Sequence, residues 1–217
     1  MRAAAPDPAA IEAAVSRLLD RASASGLRRT LVIAAVALAL LVPGTASLPV
    51  TDRDEARFAQ ASKQMLETGE YVDIRFQDKP RWKKPAGIYW LQAGSASLFG
   101  GADAPIWAYR LPSLAGGVLA AVLLGWAAVP LVGRRAALLA GLMLPATLIA
   151  AAEANIAKTD AMLLATAVAV LGALARLLPE APRPGLAAAL GAWVALAAAI
   201  LLKGPIVPVI AALALAG

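Results

Sequence analysis

What most limits the folds open to this chain is the alternation of apolar runs with connections of opposite character. Five uncharged runs, Thr30–Val50, Leu111–Gly133, Ala136–Ala152, Ala161–Ala175 and Leu186–Leu202, approach or reach the roughly 20 residues a helix needs to cross a bilayer. The pairs Arg28/Arg29, Arg134/Arg135 and Arg176/Arg183 fall at every second connection. Positive-inside bias puts all three in the cytoplasm, so the chain starts inside. The architecture expected is an all-α, polytopic transmembrane helix bundle with an outer-face loop carrying two short interface helices.

Composition agrees, with 60% hydrophobic and 16% charged residues. The net charge of +6 does not point to nucleic acid, because Arg and Lys sit at the ends of apolar runs and form no basic face. Neither Cys nor His occurs. Disulfides, thiol nucleophiles, imidazole bases and His/Cys zinc sites are therefore excluded, and acid–base work falls to Asp, Glu, Lys or Tyr.

Residues 1–27 are read as a cytoplasmic N-terminal segment, in which Ile11, Val15, Leu18 and Leu19 share one helical face suited to the membrane surface. A loosely ordered tail is the other reading. The basic pair, apolar core and small residues at Gly44–Ser47 also fit a signal peptide, but the long leader and later spans favour an uncleaved anchor. Residues 28–217 then form the transmembrane domain of about six spans, including outer loop 51–103. The last run, from Gly204, reaches only about 21 Å at 1.5 Å per residue, against a hydrocarbon core of about 30 Å. Further spans are expected beyond it in the intact protein.

The polar insert Thr51–Pro85 is wedged between apolar blocks. Asp52 suits a helix N-cap, with Asp54 and Glu55 in the first turn and Phe58, Ala61 and Met65 on an apolar face toward lipid. Gly87–Phe99 suits a short interface helix, with Tyr89 and Trp90 at headgroup depth. Given the topology, three polar groups distant in sequence land on the outer face: this insert, Glu153–Asp160 (EANIAKTD), and Lys203. Ionisable groups at such a depth are a functional hypothesis by default.

Each motif also has a plain structural account. Asp54 and Arg57 can form a surface ion pair of little energy, and Lys83 can snorkel to lipid phosphate. Thr159 or Asp160 can cap the following helix, and Lys203 with Gly204 and Pro205 can end one. Lys84, fixed by Pro85, is the better candidate for holding a phosphate.

Together, the DE pair in the first outer loop, KP before an interface helix, TD closing the next outer loop and LKGP after the fifth span resemble the GT-C membrane glycosyltransferases. The group is that of the lipid A aminoarabinose transferase and protein O-mannosyltransferase, and the likeness spans Arg53–Pro205. It implies transfer of a sugar from a polyprenyl-phosphate donor to a lipid, glycan or protein acceptor, on the outer face of a bacterial inner membrane. By position, Asp54 matches the catalytic carboxylate and Glu55 its motif partner, with Asp160 as a second acid. Arg57, Lys84 and Lys203 match the phosphate-binding cations. Asp54, Glu55 and Asp160 equally suit a divalent ion or none. Phe58 stands where many relatives carry Tyr, Ala86 follows KP where they carry Pro, and Lys158 replaces Leu in the TD motif. These departures bear on sugar and acceptor more than on reaction class. The alternatives are a transporter, which needs ionisable groups near the midplane and broken spans, and a noncatalytic membrane subunit.

Overall fold

A computed structural model describes residues 7–177 and 185–216, so the expectation for Arg183 lies outside the described residues. Among the described residues the regular elements are helices apart from one small hairpin. Three helices among the described residues are by themselves long and apolar enough to cross a membrane, and up to five spans result if each of two bent pairs counts as one.

Helix α1 (Pro8–Ser23) starts at Asp7, whose side chain accepts the Ala9 amide at 3.0 Å. It meets α2 (Gly26–Leu41) at 110°, as a helix lying across the end of a span would. Ile11, Val15 and Leu18 stay exposed, while Leu19 and Ala22 pack onto the core around Ile33. The first span is shorter than its apolar run: Pro43 and Gly44 turn the chain, and residues 42–48 fold as a turn.

Helix α3 (Arg53–Thr68) lies in the polar insert and is capped by Asp52 at the Asp54 and Glu55 amides. A two-residue hairpin follows, pairing Arg75 with Pro80 and Phe76 with Lys79. Its tip residue Gln77 has φ 56°, and its N–H and C=O are both held by the Gln64 side chain at 2.9 Å. Helix α4 (Gly87–Ser97) then closes over α3. Here the lipid-facing expectation is corrected. Phe58, Ala61 and Met65 pack against Ile88, Tyr89, Ala93 and Leu202, because α4 offers an apolar surface nearer than lipid. Tyr89 is fully buried in that cluster, whereas Trp90, Leu91 and Leu98 face outward.

Helix α5 (Ile106–Ala127) is the central span and begins earlier than its uncharged run, taking Arg110 and Pro112 inside. It packs most extensively on α8 (Asp160–Leu174). The approach is so close at Gly116 that a Cβ there would come within 2.5 Å of the Met162 nitrogen, so a small residue is obligatory, as is usual where membrane helices touch. The run Ala136–Ala152 is not one straight span. It is α6 (Val129–Met143) and α7 (Leu148–Ala154), bent by 61° around Pro145. Helices α9 (Leu186–Lys203) and α10 (Ile206–Ala216) complete the chain, α9 packing on α8.

The arginines of the short connections gather at one end. Arg29 lies close enough to Arg134 and to Arg176 to feel the charge of each, Arg135 pairs with Asp20 of α1, and Arg176 stacks on Trp126 at 3.6 Å.

Candidate active site

The other end of the bundle is where the three polar loops meet; one buried ion pair ties the first two, and Asp160 with Lys203 adds the third. Arg110 and Glu55 are each 1% exposed. Arg110 Nε donates to Glu55 Oε1 at 2.7 Å and Nη2 to Oε2 at 3.1 Å. Its other N–H groups reach the Thr45, Leu48 and Pro49 carbonyls. Glu55 Oε1 also accepts the Ala157 amide at 3.0 Å. Asn155 extends the network by accepting from the Thr45 hydroxyl and donating to the Leu41 carbonyl. The turn after α2, the first turn of α3, the start of α5 and the loop before α8 are thus fixed as one unit. Glu55, expected beside Asp54 as its motif partner, takes three donors and so ties the first turn of α3 to α5 and to the loop before α8. Arg110 was invisible to motif reading: it sits at the border of an apolar run, where an arginine looks interfacial.

Around this brace stand the exposed and half-buried charges. Asp54 forms a 3.4 Å pair with Arg57, both well exposed. The Lys158 ammonium lies 3.5 Å from both Asp52 and Glu153. Amide donation, first from Glu55, holds the Asp52 carboxyl below the ordinary carboxylate range, against an opposing effect of burial. For Lys158, burial acts to lower the pKa, but Glu153, Asp52 and Asp160 outweigh it and the value rises above the ordinary lysine value. Asp160, at the first position of α8, bonds Lys203 at the end of α9, while Thr159 makes no side-chain capping bond. Gly204 ends α9 with φ 75°, a left-handed conformation that glycine takes without strain. The start of α4 is pressed on the same turn, where a Cβ on Gly87 would meet the Leu201 carbonyl at 2.7 Å.

Lys84 is half-buried just before α4 and has no ion-pair partner among the described residues. Tyr89 adds a hydroxyl: it accepts from Arg81 Nε at 2.7 Å, its ring packs 5.3 Å from Phe58, and burial pushes its phenol pKa up. The Asp54 carboxylate acts on that hydroxyl through space. Asp160 and Glu153 share a mostly apolar cavity of about 220 Å³, and Glu55 and Arg110 border another of about 340 Å³. None of the cavities described takes in Asp54, Lys84, Asp160 and Lys203 together. Among the described residues, no three Asp or Glu side chains are placed to share one metal ion.

The sequence profile of the dolichyl-phosphate-mannose-protein mannosyltransferases matches residues 83–216. The undecaprenyl phosphate-alpha-4-amino-4-deoxy-L-arabinose arabinosyl transferase of Yersinia pestis (strain Pestoides F) is 36% identical over 81 residues, 35% of this chain and 14% of that protein. The Aeromonas hydrophila enzyme of the same name is 35% identical over 75 residues, 35% of this chain and 13% of its own length. Crystal structures of ArnT from Cupriavidus metallidurans, apo and bound to undecaprenyl phosphate, match with a TM-score of 0.75 and 27% identity. The match covers 86% of this chain and 34% of theirs, so the chain spans about a third of the solved relative's length.

Proposed function

The chain belongs to the dolichyl-phosphate-mannose-protein mannosyltransferase family, and from that premise we propose that it moves a sugar from a polyprenyl-phosphate carrier to a lipid, glycan or protein acceptor. The observation that carries this reading is the meeting of three loops distant in sequence at one end of the bundle. Asp52 reaches Lys158, Glu55 reaches Ala157, and Asp160 reaches Lys203. A multi-pass bundle with Asp, Glu and Lys side chains collected at one end, and the group Arg29, Arg134 and Arg176 at the other, suits chemistry on a lipid-borne phosphate at one membrane surface. The arginine end is the cytoplasmic one in this reading, with the N-terminus inside and the site on the outer face of the inner membrane.

In the reaction, Asp54 removes the proton of the acceptor hydroxyl as its oxygen bonds to C1 of the sugar. The bond from C1 to the carrier phosphate breaks on the opposite face, its electron pair leaving with the phosphate, so the configuration at C1 inverts. Arg57 and Lys84 stabilise the charge that grows on the departing phosphate. Asp160, oriented by Lys203, positions the acceptor. The names of the relatives, which act on undecaprenyl-phosphate-linked aminoarabinose, support a polyprenyl-phosphate donor.

The test is transfer of labelled sugar from polyprenyl-phosphate donors in membranes carrying the full-length protein. Asp54→Asn is expected to lower the rate by about 10²- to 10⁴-fold. Equal transfer by both proteins would remove Asp54 from its role.

A further inference from the structure

Arg81 stands where the hairpin hands the chain to α4, and three of its sides are fixed. Its backbone N–H donates to the Ile74 carbonyl at 2.7 Å, its Nε donates to the Tyr89 hydroxyl at 2.7 Å, and its Cζ lies 5.1 Å from the Phe58 ring centroid and 5.9 Å from that of Phe76. What remains is the fork. Among the described residues, neither terminal nitrogen of Arg81 has a protein partner. Its neighbours are committed: Arg57 is paired with Asp54, Arg75 with Asp73, and Arg110 with Glu55.

A half-buried guanidinium stacked on aromatic rings has given up part of its hydration, and an open fork is the part of it that recognises planar or tetrahedral oxyanions in bidentate fashion. Holding Nε and the ring plane removes the rotamer freedom that binding otherwise costs. The Phe58 ring on which this guanidinium rests stands one helical turn beyond Asp54 on α3, which brings the cation to the same part of the molecule as that carboxylate. Lys84, half-buried just beyond the turn at Trp82–Lys83, is a second cation with no ion-pair partner among the described residues.

We propose that Arg81 is a phosphate-binding residue of this site, gripping phosphate oxygens with its two terminal nitrogens while Tyr89 and Phe58 set the plane of the fork. The assignment rests on the glycosyl-transfer reading above and adds to it a contact that motif position did not supply. The phosphate comes from the carrier or from a phosphorylated acceptor, and the two sources are separable.

The experiment uses the full-length protein in nanodiscs, with R81Q, R81K and Y89F. Two quantities are measured: binding of polyprenyl phosphate lacking sugar, and KM for donor and for acceptor separately. If the fork holds the carrier, R81Q weakens polyprenyl-phosphate binding and raises donor KM by about 10- to 100-fold, with acceptor KM unchanged. If it holds the acceptor, carrier binding is unchanged and the KM of a phosphorylated acceptor rises by that factor. In both cases R81K, which keeps the charge but loses the fork, recovers only part of the loss. Should R81Q fail to fold, Y89F decides: losing the hydroxyl alone is expected to weaken the same step by about 3- to 10-fold. Unchanged binding and unchanged KM in the variants, beside a wild type that transfers sugar, would overturn the assignment and leave the enzyme reading intact. A wild type that neither binds polyprenyl phosphate nor transfers sugar removes both.

Discussion

Arg110 and Glu55, 55 residues apart, meet in a bidentate contact of 2.7 and 3.1 Å in which neither side chain reaches solvent. Two charges taken out of water are tolerated only where geometry and extra hydrogen bonds compensate, and here three backbone carbonyls and one amide supply them.

Removing one partner leaves the other charged, buried and alone. Arg110→Met or Glu55→Leu is expected to destabilise the protein by about 3 to 5 kcal/mol, and the double variant by less than the sum. Unfolding in detergent, followed by tryptophan fluorescence, checks the cycle. Additive losses would mean that the pair does not act as a unit.

The contact of Asp52 with Lys158 sets a pH signature. The Asp52 pKa is lowered by folding, so its contribution is present above the ordinary carboxylate range and is lost as pH falls through the folded value. The Lys158 pKa is raised, so its contribution is full below the ordinary lysine value and is lost as pH climbs through the folded one. The tie between the α3 cap and the loop before α8 is therefore flat between about pH 5 and pH 9 and weakens on both sides. Asp52→Asn is expected to flatten the acid limb of a stability profile, and Lys158→Met the alkaline limb.

Gly87 tests whether the site depends on backbone fit as well as charge. Gly87→Ala puts a methyl carbon on the Leu201 carbonyl and must shift α4 relative to the Lys203 turn. A stability cost of about 1 to 3 kcal/mol is expected. Sugar transfer should fall as well, although no charged residue has changed. Thermal unfolding and the transfer assay read the two effects separately.

Lys203 probes the acid it holds. Lys203→Met frees Asp160, which lies at the start of α8. The expected result is a higher acceptor KM with a smaller change in donor KM, partly restored by Lys203→Arg. A rise confined to donor KM would give Lys203 the carrier phosphate instead.

Much of this organisation was readable in the chain. The arginine pairs and the three polar loops gave the two ends of the bundle, because charge at the ends of apolar runs is a signal of position along the membrane normal. Asp52 as the cap of α3 followed from residue type and spacing alone. The direction of the α3 apolar face did not follow: periodicity says that Phe58, Ala61 and Met65 share a side, but lipid and α4 are equally apolar destinations. Arg110 and Arg81 escaped for a related reason. Their meaning comes from Glu55 and Tyr89, contacts made by folding, and neither belongs to a motif with a fixed interval. The length of the first span was overestimated because Val42–Val50 is as free of charge as a span, yet turns at Pro43 and Gly44.

The two-sided grip on Glu55 has a consequence for biogenesis. One carboxylate oxygen binds a helix that emerges about 50 residues later, and it also takes an amide from a loop about 100 residues later. A nascent chain threaded into the membrane from its N-terminus therefore carries the polar insert only half-fastened, by Arg110, until Ala157 has left the ribosome. Stalled chains ending before that residue should lose this segment to protease, and chains released beyond it should keep it.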